Sequence, residues 1–237
     1  MRIAFLDLET TGLPKQPKFD EYHPYTQLKY YDGARIVQVA LIIYDVPDNP
    51  SSHPTDTDEK KVDSKNVDSK NVDYKLVAEH TYVVKPDGFE IRNSHIHRIS
   101  NAMALFAGIE FKEVINKIWD VLKTCDVLIA HNILFDRNVL LSELHRYGLN
   151  EQIYKINAMK YFCTSKGCTN ITRIRYNLLE FKQPRLSELY KFLFKKDLQD
   201  AHDALVDTKA LVDCFMELRK RKLIVCYKGE YCAACDL

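Results

Sequence analysis

Ile3-Ala4-Phe5-Leu6-Asp7-Leu8-Glu9-Thr10-Thr11-Gly12-Leu13 begins as an apolar strand and ends in two acids and a turn. Side chains alternate across an extended strand, so Asp7 and Glu9, two residues apart, leave it on the same face. Two carboxylates held side by side repel each other unless a cation lies between them. The pair is therefore a candidate hard-metal site, with oxygen ligands suited to Mg²⁺ or Mn²⁺.

The bulk properties restrict what such a site can serve. A chain of 237 residues can bury a full core as one elaborated domain. Its net charge of +1 supplies no global field to draw it onto a polyanion, so a nucleic acid has to be gripped locally. Asp7 and Glu9 interrupt the apolar run at the N-terminus, which argues against a signal peptide. No apolar stretch approaches the roughly 18 residues of a membrane span. Seven cysteines at irregular spacing fit free thiols in a reducing compartment better than a disulfide framework. The expectation is a soluble, cytoplasmic protein, with a nuclear location left open and no membrane partner.

Further along, residues 35–44 and 76–84 read as two more strands, β-branched and long. Between them, residues 47–75 carry three prolines and a polar five-residue repeat, Val62-Asp63-Ser64-Lys65-Asn66 and its near copies. That period suits neither helix nor strand and reads as a solvated hairpin insertion. Ser100 caps an expected short helix over 101–107, and Phe111, Val114, Ile115, Ile118, Trp119 and Leu122 mark an amphipathic one. Val127-Leu128-Ile129-Ala130 reads as a short buried strand followed by a helix over about 135–147. The stretch 150–183 carries no clear period; a helix is expected around 186–193 and a long one over about 202–221. Three early strands followed by alternating helices and a strand give an α/β architecture with helices covering a mixed sheet.

Two more acidic positions have telling contexts. His131-Asn132-Ile133-Leu134-Phe135-Asp136 leaves the short strand and enters a helix, which puts Asp136 in its first turn. Ligands of α/β sheets sit at such strand ends. His202-Asp203-Ala204-Leu205-Val206-Asp207 enters the last helix. Singly, an Asp in a first helical turn is a dipole partner and a His at a helix start a surface residue. The set as a whole points to a metal-assisted site.

The three segments together resemble the motifs of the DEDDh 3′→5′ exonucleases. Asp7-Leu8-Glu9-Thr10-Thr11-Gly12-Leu13 is similar to the first, His131-Asn132-x-x-Phe135-Asp136 to the second, and His202-Asp203-Ala204-x-x-Asp207 to the third. His-x4-Asp, in place of Tyr-x3-Asp, points to the histidine branch. The resemblance runs in order over residues 7–207. It implies an RNase H-like fold: a mixed five-stranded sheet flanked by helices, with an exonuclease domain over 1–222 and a C-terminal tail over 223–237. It implies five catalytic residues: Asp7, Glu9, Asp136, His202 and Asp207. Asp7, Glu9 and Asp207 would hold one of two Mg²⁺ or Mn²⁺ ions, Asp7 would bridge to the second, and Asp136 would assist. His202 would act as general base, a role imidazole suits near neutral pH.

The resemblance also implies substrate contacts. Thr10, Thr11 and Gly12 would bring backbone to the terminal nucleotide, Leu13 would wedge between the last two bases, and Asn132 and Phe135 would line the pocket. His97 lies in Ser94-His95-Ile96-His97-Arg98-Ile99, similar to a His-Gly-Ile element that touches the terminal nucleotide; Arg98 stands in the glycine's place, and a structural His is the alternative. Lys166, Arg173, Arg175, Lys182 and Arg185, interleaved with Tyr176 and Phe181, read either as a guide for single strands or as a polar loop. Arg219-Lys220-Arg221-Lys222 reads as a solvated end to the last helix, and Cys226, Cys232 and Cys235 as free thiols rather than a zinc site.

The expected activity is release of 5′-mononucleotides from single-stranded 3′ ends, DNA favoured. An exoribonuclease and an inactive nucleic-acid-binding scaffold are the alternatives. A homodimer and a polymerase served in trans are further expectations carried by the resemblance alone.

Overall fold

A computed structural model describes residues 1–18, 20–47, 74–199, 202–227 and 229–236. Of the expected insertion at 47–75, residues 48–73 lie outside the described residues.

The opening segment forms β1 (Arg2–Thr10) at the centre of a five-stranded sheet. It pairs antiparallel with β2 (Ile36–Asp45), from Arg2 opposite Asp45 to Thr10 opposite Ile36, and β2 pairs antiparallel with β3 (Lys75–Val83). On its other side β1 runs parallel to β4 (Val127–Ala130), which runs parallel to β5 (Lys160–Cys163). The order β3-β2-β1-β4-β5 is the mixed sheet that the sequence implied.

Period-2 alternation along β1 sorts its side chains between two cores. Ala4, Leu6 and Leu8 face a cluster built with α3 (Phe111–Leu122) and α4 (Ile133–Arg146). Ile3 and Phe5 face the other, built with α8 (Leu186–Phe194) and α9 (Ala204–Lys220). Full burial of each such side chain contributes about 1.5–3 kcal/mol, which fixes the strand's facing. Asp7 and Glu9 continue the Ile3–Phe5 row, so they emerge on the α9 side, at the strand's carboxyl end. A one-residue slip would send both acids to the opposite face.

Between β3 and α3 lie α1 (Ser94–His97) and α2 (Asn101–Ala107), and the Ser100 hydroxyl caps α2 by accepting from the Met103 N–H at 3.1 Å. The chain then continues through α5 (Asn150–Ala158), β5, α6 (Thr164–Gly167) and α7 (Thr169–Thr172). These are the elements of the stretch that lacked a readable period. Three of them are only four residues long, too short for a helical or strand pattern to show. The helix α4 starts two residues before its expected position, because Asn132 turns the chain directly into it from the left-handed region at φ 74°.

The C-terminal segment forms a hairpin of β6 (Ile224–Tyr227) and β7 (Glu230–Ala233), and Tyr231 packs against Phe162 and Phe215. The basic end of α9 is not all solvated, as the sequence suggested. Arg219 is buried, lies over the Tyr74 and Tyr231 rings, and donates to the Pro47 carbonyl at 2.9 Å. All seven cysteines are free thiols, and among the described residues no helix is long and apolar enough to cross a membrane.

Candidate active site

Three elements deliver acids to one end of the sheet. Asp7 and Glu9 come from β1, Asp136 from the first turn of α4, and Asp207 from the first turn of α9. Glu9, His202 and Asp207 each offer a ligand atom within 4.8 Å of the others, the one such group of three among the described residues. Asp7 lies outside that group but faces Asp136, Asp207 and Glu9 closely enough for their charges to act on it.

The electrostatics of the group are those of crowded, desolvated carboxylates. Burial raises the Asp7 carboxyl well above the usual range, and Asp136, Asp207 and Glu9 add to it. Burial likewise pushes Glu9 up to about 7, with Asp207 and Asp203 contributing. Asp136, only 2% exposed, is raised well above the ordinary carboxylate range by burial, against the pull of backbone N–H groups including that of Leu8. Asp207 is raised by burial, although its Oδ2 accepts from the His202 N–H at 3.0 Å. Its Oδ1 is buried without a hydrogen-bond partner among the described residues. An orphaned carboxylate oxygen amid three other acids is a donor set that suits a divalent cation. Glu9 and Asp207, with His202 beside them, have ligand atoms close enough together to share one.

Local backbone places the remaining groups. His202 is exposed, with φ 74°, immediately before α9. Asp203 caps that helix, its Oδ1 accepting from the Leu205 and Val206 N–H groups at 3.0 and 3.1 Å. Gln38, opposite Glu9 on β2, accepts from the Ala204 N–H at 3.2 Å and so pins the helix start beside the acids. The motifs did not single out Gln38; only its polar side chain within an otherwise apolar strand marks it in the sequence.

The Thr-Thr-Gly turn is held from both sides. Thr11 donates its backbone N–H to the Arg35 carbonyl at 2.9 Å, and the Thr10 hydroxyl donates to the Gly12 carbonyl at 2.7 Å. A Cβ on Gly12 would lie 2.9 Å from the Gly33 carbonyl oxygen, so this approach needs glycine. Leu13 follows, 78% exposed. The Asn132 side chain lies near enough to the Tyr22 hydroxyl to act on it, and Phe135 packs at the edge of the core. Tyr22, which Asp136's charge also reaches, had no motif to reveal it.

His97 is buried, and both its ring nitrogens are engaged within the protein. Nδ1 accepts from the Ile99 N–H at 3.2 Å, which leaves the proton on Nε2, 3.2 Å from Asn93 Oδ1. Asn93 in turn donates to the Thr10 carbonyl at 2.9 Å. His97 thus braces the turn that carries Thr10 to Leu13. Arg98, in place of glycine, keeps the left-handed backbone at φ 63°.

His131 ties the site to the next layer. Its Nε2 donates to the Pro184 carbonyl at 2.8 Å, and its Nδ1 accepts from the Thr164 hydroxyl at 2.9 Å. Burial lowers its pKa to about 4, so the ring is neutral in this role. Arg35 and Glu143 form a buried ion pair, at 2.5 and 3.3 Å, between the residue before β2 and α4.

A mixed sheet with acids and an imidazole gathered at its strand ends defines a hydrolase of the nuclease class. The family model described as exonuclease, of the RNase T type, matches residues 4–215. The chain belongs to this exonuclease family, and its motif set places it in the DEDDh 3′→5′ branch that the sequence resembles. Among curated proteins no sequence match was found.

Solved structures similar to the chain include one titled as a full-length 3′-exonuclease, at 12% identity and TM-score 0.58, covering 98% of this chain and 66% of that one. A second, a 3′-exonuclease recognising the 3′ end of a histone mRNA stem-loop, has 11% identity, TM-score 0.56, and covers 98% and 70%. A third, exonuclease X with 5′-overhanging duplex DNA, has 20% identity, TM-score 0.48, and covers 93% of each chain. At these identities the first two speak to the shared fold.

Proposed function

We propose that the chain is a divalent-metal-dependent 3′→5′ exonuclease that releases 5′-mononucleotides, preferring single-stranded DNA ends. The observation that carries this reading is the convergence of Glu9, His202 and Asp207 within 4.8 Å, with Asp7 and Asp136 coupled to them by charge. When bound, a pair of Mg²⁺ or Mn²⁺ ions supplies Lewis-acid stabilisation to both the attacking and the leaving oxygens of an in-line phosphoryl displacement.

The chain's own residues do the rest. Asp7, Glu9, Asp136 and Asp207 would hold the cations as deprotonated carboxylates. His202 is exposed beside Asp207, where its imidazole takes the proton of the attacking water. The Thr10–Gly12 turn offers backbone to the terminal nucleotide, and the exposed Leu13 side chain separates its base from the one before. Asn132 and Phe135 line the pocket, and His97 acts through Asn93 to hold the turn in place. The leaving group is the 3′-oxygen of the penultimate nucleotide.

Side-by-side digestion of end-labelled single-stranded DNA, duplex DNA and RNA, with Mg²⁺ or Mn²⁺, tests the reading. Fastest release of the 3′-terminal nucleotide from single-stranded DNA supports it. Faster digestion of RNA reassigns the sugar preference to contacts with the 2′-hydroxyl. No release from any polymer leaves a scaffold.

A further inference from the structure

We propose that residues 173–182 form a hairpin that grips the nucleic-acid strand upstream of the 3′ end, using arginines for phosphates and an apolar tip for bases. This rests on the exonuclease reading and extends it to a second contact region that none of the catalytic motifs includes.

The hairpin is built, not improvised. Arg175 pairs with Phe181 in an antiparallel bridge, the Tyr176 N–H donates to the Glu180 carbonyl at 3.0 Å, and the Lys182 N–H to the Ile174 carbonyl at 2.8 Å. Asn177 makes the turn, its Oδ1 accepting from the Leu179 and Glu180 N–H groups at 2.8 and 2.9 Å. The turn holds Tyr176, Leu178 and Leu179 outward, 73%, 89% and 95% exposed. Three adjacent large apolar side chains in water are costly for a loop with no partner.

Charge says which partner. Residues 164–185 carry five cations and one acid, against +1 for the whole chain. Lys182 is paired with Glu188, but among the described residues Arg173 and Arg175 donate only to the Asn170 and Leu178 carbonyls. Cations beside exposed aromatic and aliphatic side chains match a single strand, which offers phosphates and unpaired base faces together. A protein surface would have to be acidic and apolar at once.

Position ties the hairpin to the chemistry. Its base is fixed by the Gln183 amide, which donates to Asp20 at 2.6 Å, and by the Pro184 carbonyl, which accepts from His131. Asp20 lies two residues before Tyr22, a near neighbour of Asn132, and His131 directly precedes Asn132. The base of the hairpin is therefore tied to the segment that enters α4 and delivers Asp136 to the acidic group.

The test is fluorescence anisotropy of a labelled single-stranded 20-mer with the full chain in EDTA, across a salt series. Arg173→Ala with Arg175→Ala is expected to weaken binding about tenfold and to flatten the salt slope by about 1.4, since each phosphate contact on a single strand contributes about 0.7. Tyr176→Ser with Leu178→Ser and Leu179→Ser is expected to weaken it about tenfold with the slope unchanged, because stacking releases no counterions. Arg175→Lys should keep the slope, and melting curves should match the unmodified chain because all these side chains are exposed. Unchanged affinity and slope in both multiple variants would overturn the proposal. So would loss of self-association in sedimentation by the serine variant with DNA affinity intact, which would make the tip a protein contact. Binding with the expected pattern but no Mg²⁺-dependent release would instead defeat the exonuclease reading alone.

Discussion

The acidic group sets a pH dependence for how much a divalent cation stabilises the fold. Glu9 is raised from its ordinary 4.5 to about 7. A carboxyl whose folded pKa lies above its unfolded one favours the folded state at low pH. That contribution is lost as pH climbs from the unfolded value through the folded one. Here the window runs from about 4.5 to about 7, and Asp7, Asp136 and Asp207 shift in the same direction. At about 1.36 kcal/mol per pH unit the Glu9 shift has a ceiling of about 3 kcal/mol. Glu9 is partly exposed, and screening brings this to about 1–2 kcal/mol.

Absolute melting temperatures would blur this effect. His131 is lowered to about 4, so its contribution runs the opposite way, absent at acid pH and gained as pH rises toward 6.5. The increment produced by the cation removes that term, because His131 is bonded to Thr164 and Pro184 and not to the acids. The assay is thermal melting at pH 5 and pH 8, with EDTA and with 5 mM Mg²⁺ or Mn²⁺ (roughly saturating for a carboxylate site). The increment at pH 8 should exceed that at pH 5 by about 2–8 °C, taking about 2–4 °C per kcal/mol for a chain of this size. Glu9→Gln should remove most of the difference. Equal increments at the two pH values would show that the acids do not share a cation.

Other perturbations separate the roles. His202→Ala should lower kcat by about 10²–10⁴ with little change in melting temperature, and a loss below tenfold would remove it from the base role. Gly12→Ala brings a methyl within 2.9 Å of the Gly33 carbonyl, and the displaced turn should cost about 10² in kcat/KM, read by steady-state kinetics. Arg35→Ala removes the near partner of the buried Glu143 carboxylate and leaves it Arg146 at 3.6 Å, and urea unfolding should show a loss of about 3 kcal/mol. Leu13→Ala should raise KM for single strands about tenfold while leaving the cation-induced melting increment unchanged.

The sequence was most legible where the chemistry is written in fixed residue types. Asp7 and Glu9 were readable because strand alternation puts them on one face, and their facing toward α9 followed from the buried Ile3 and Phe5 two steps back. Asp136 and Asp207 were readable as first-turn acids whose contexts matched in order. Contacts between distant segments were not. Gln38 reaches Ala204 across 166 positions, and Tyr22 meets Asn132 through a loop with no period, so neither has a local signature. His97 shows the limit from the other side. The sequence offered a substrate contact or a structural role, and both ring nitrogens are engaged within the protein, through Asn93 and Ile99. The hairpin over 173–182 was visible as composition, but its turn depends on the Asn177 side chain, which a periodicity argument does not read.

The central claim is that acids from β1, α4 and α9 jointly hold the cations that cleave the terminal phosphodiester. The direct measurement is release of labelled nucleotide from a 3′-end-labelled and a 5′-end-labelled single strand, with Mg²⁺ or Mn²⁺, for the unmodified chain and for Asp7→Asn. Immediate release of a 5′-mononucleotide from the 3′-labelled strand, stopped by EDTA and absent in Asp7→Asn, is the predicted result. Undiminished release by Asp7→Asn, or release that persists in EDTA, would contradict the account.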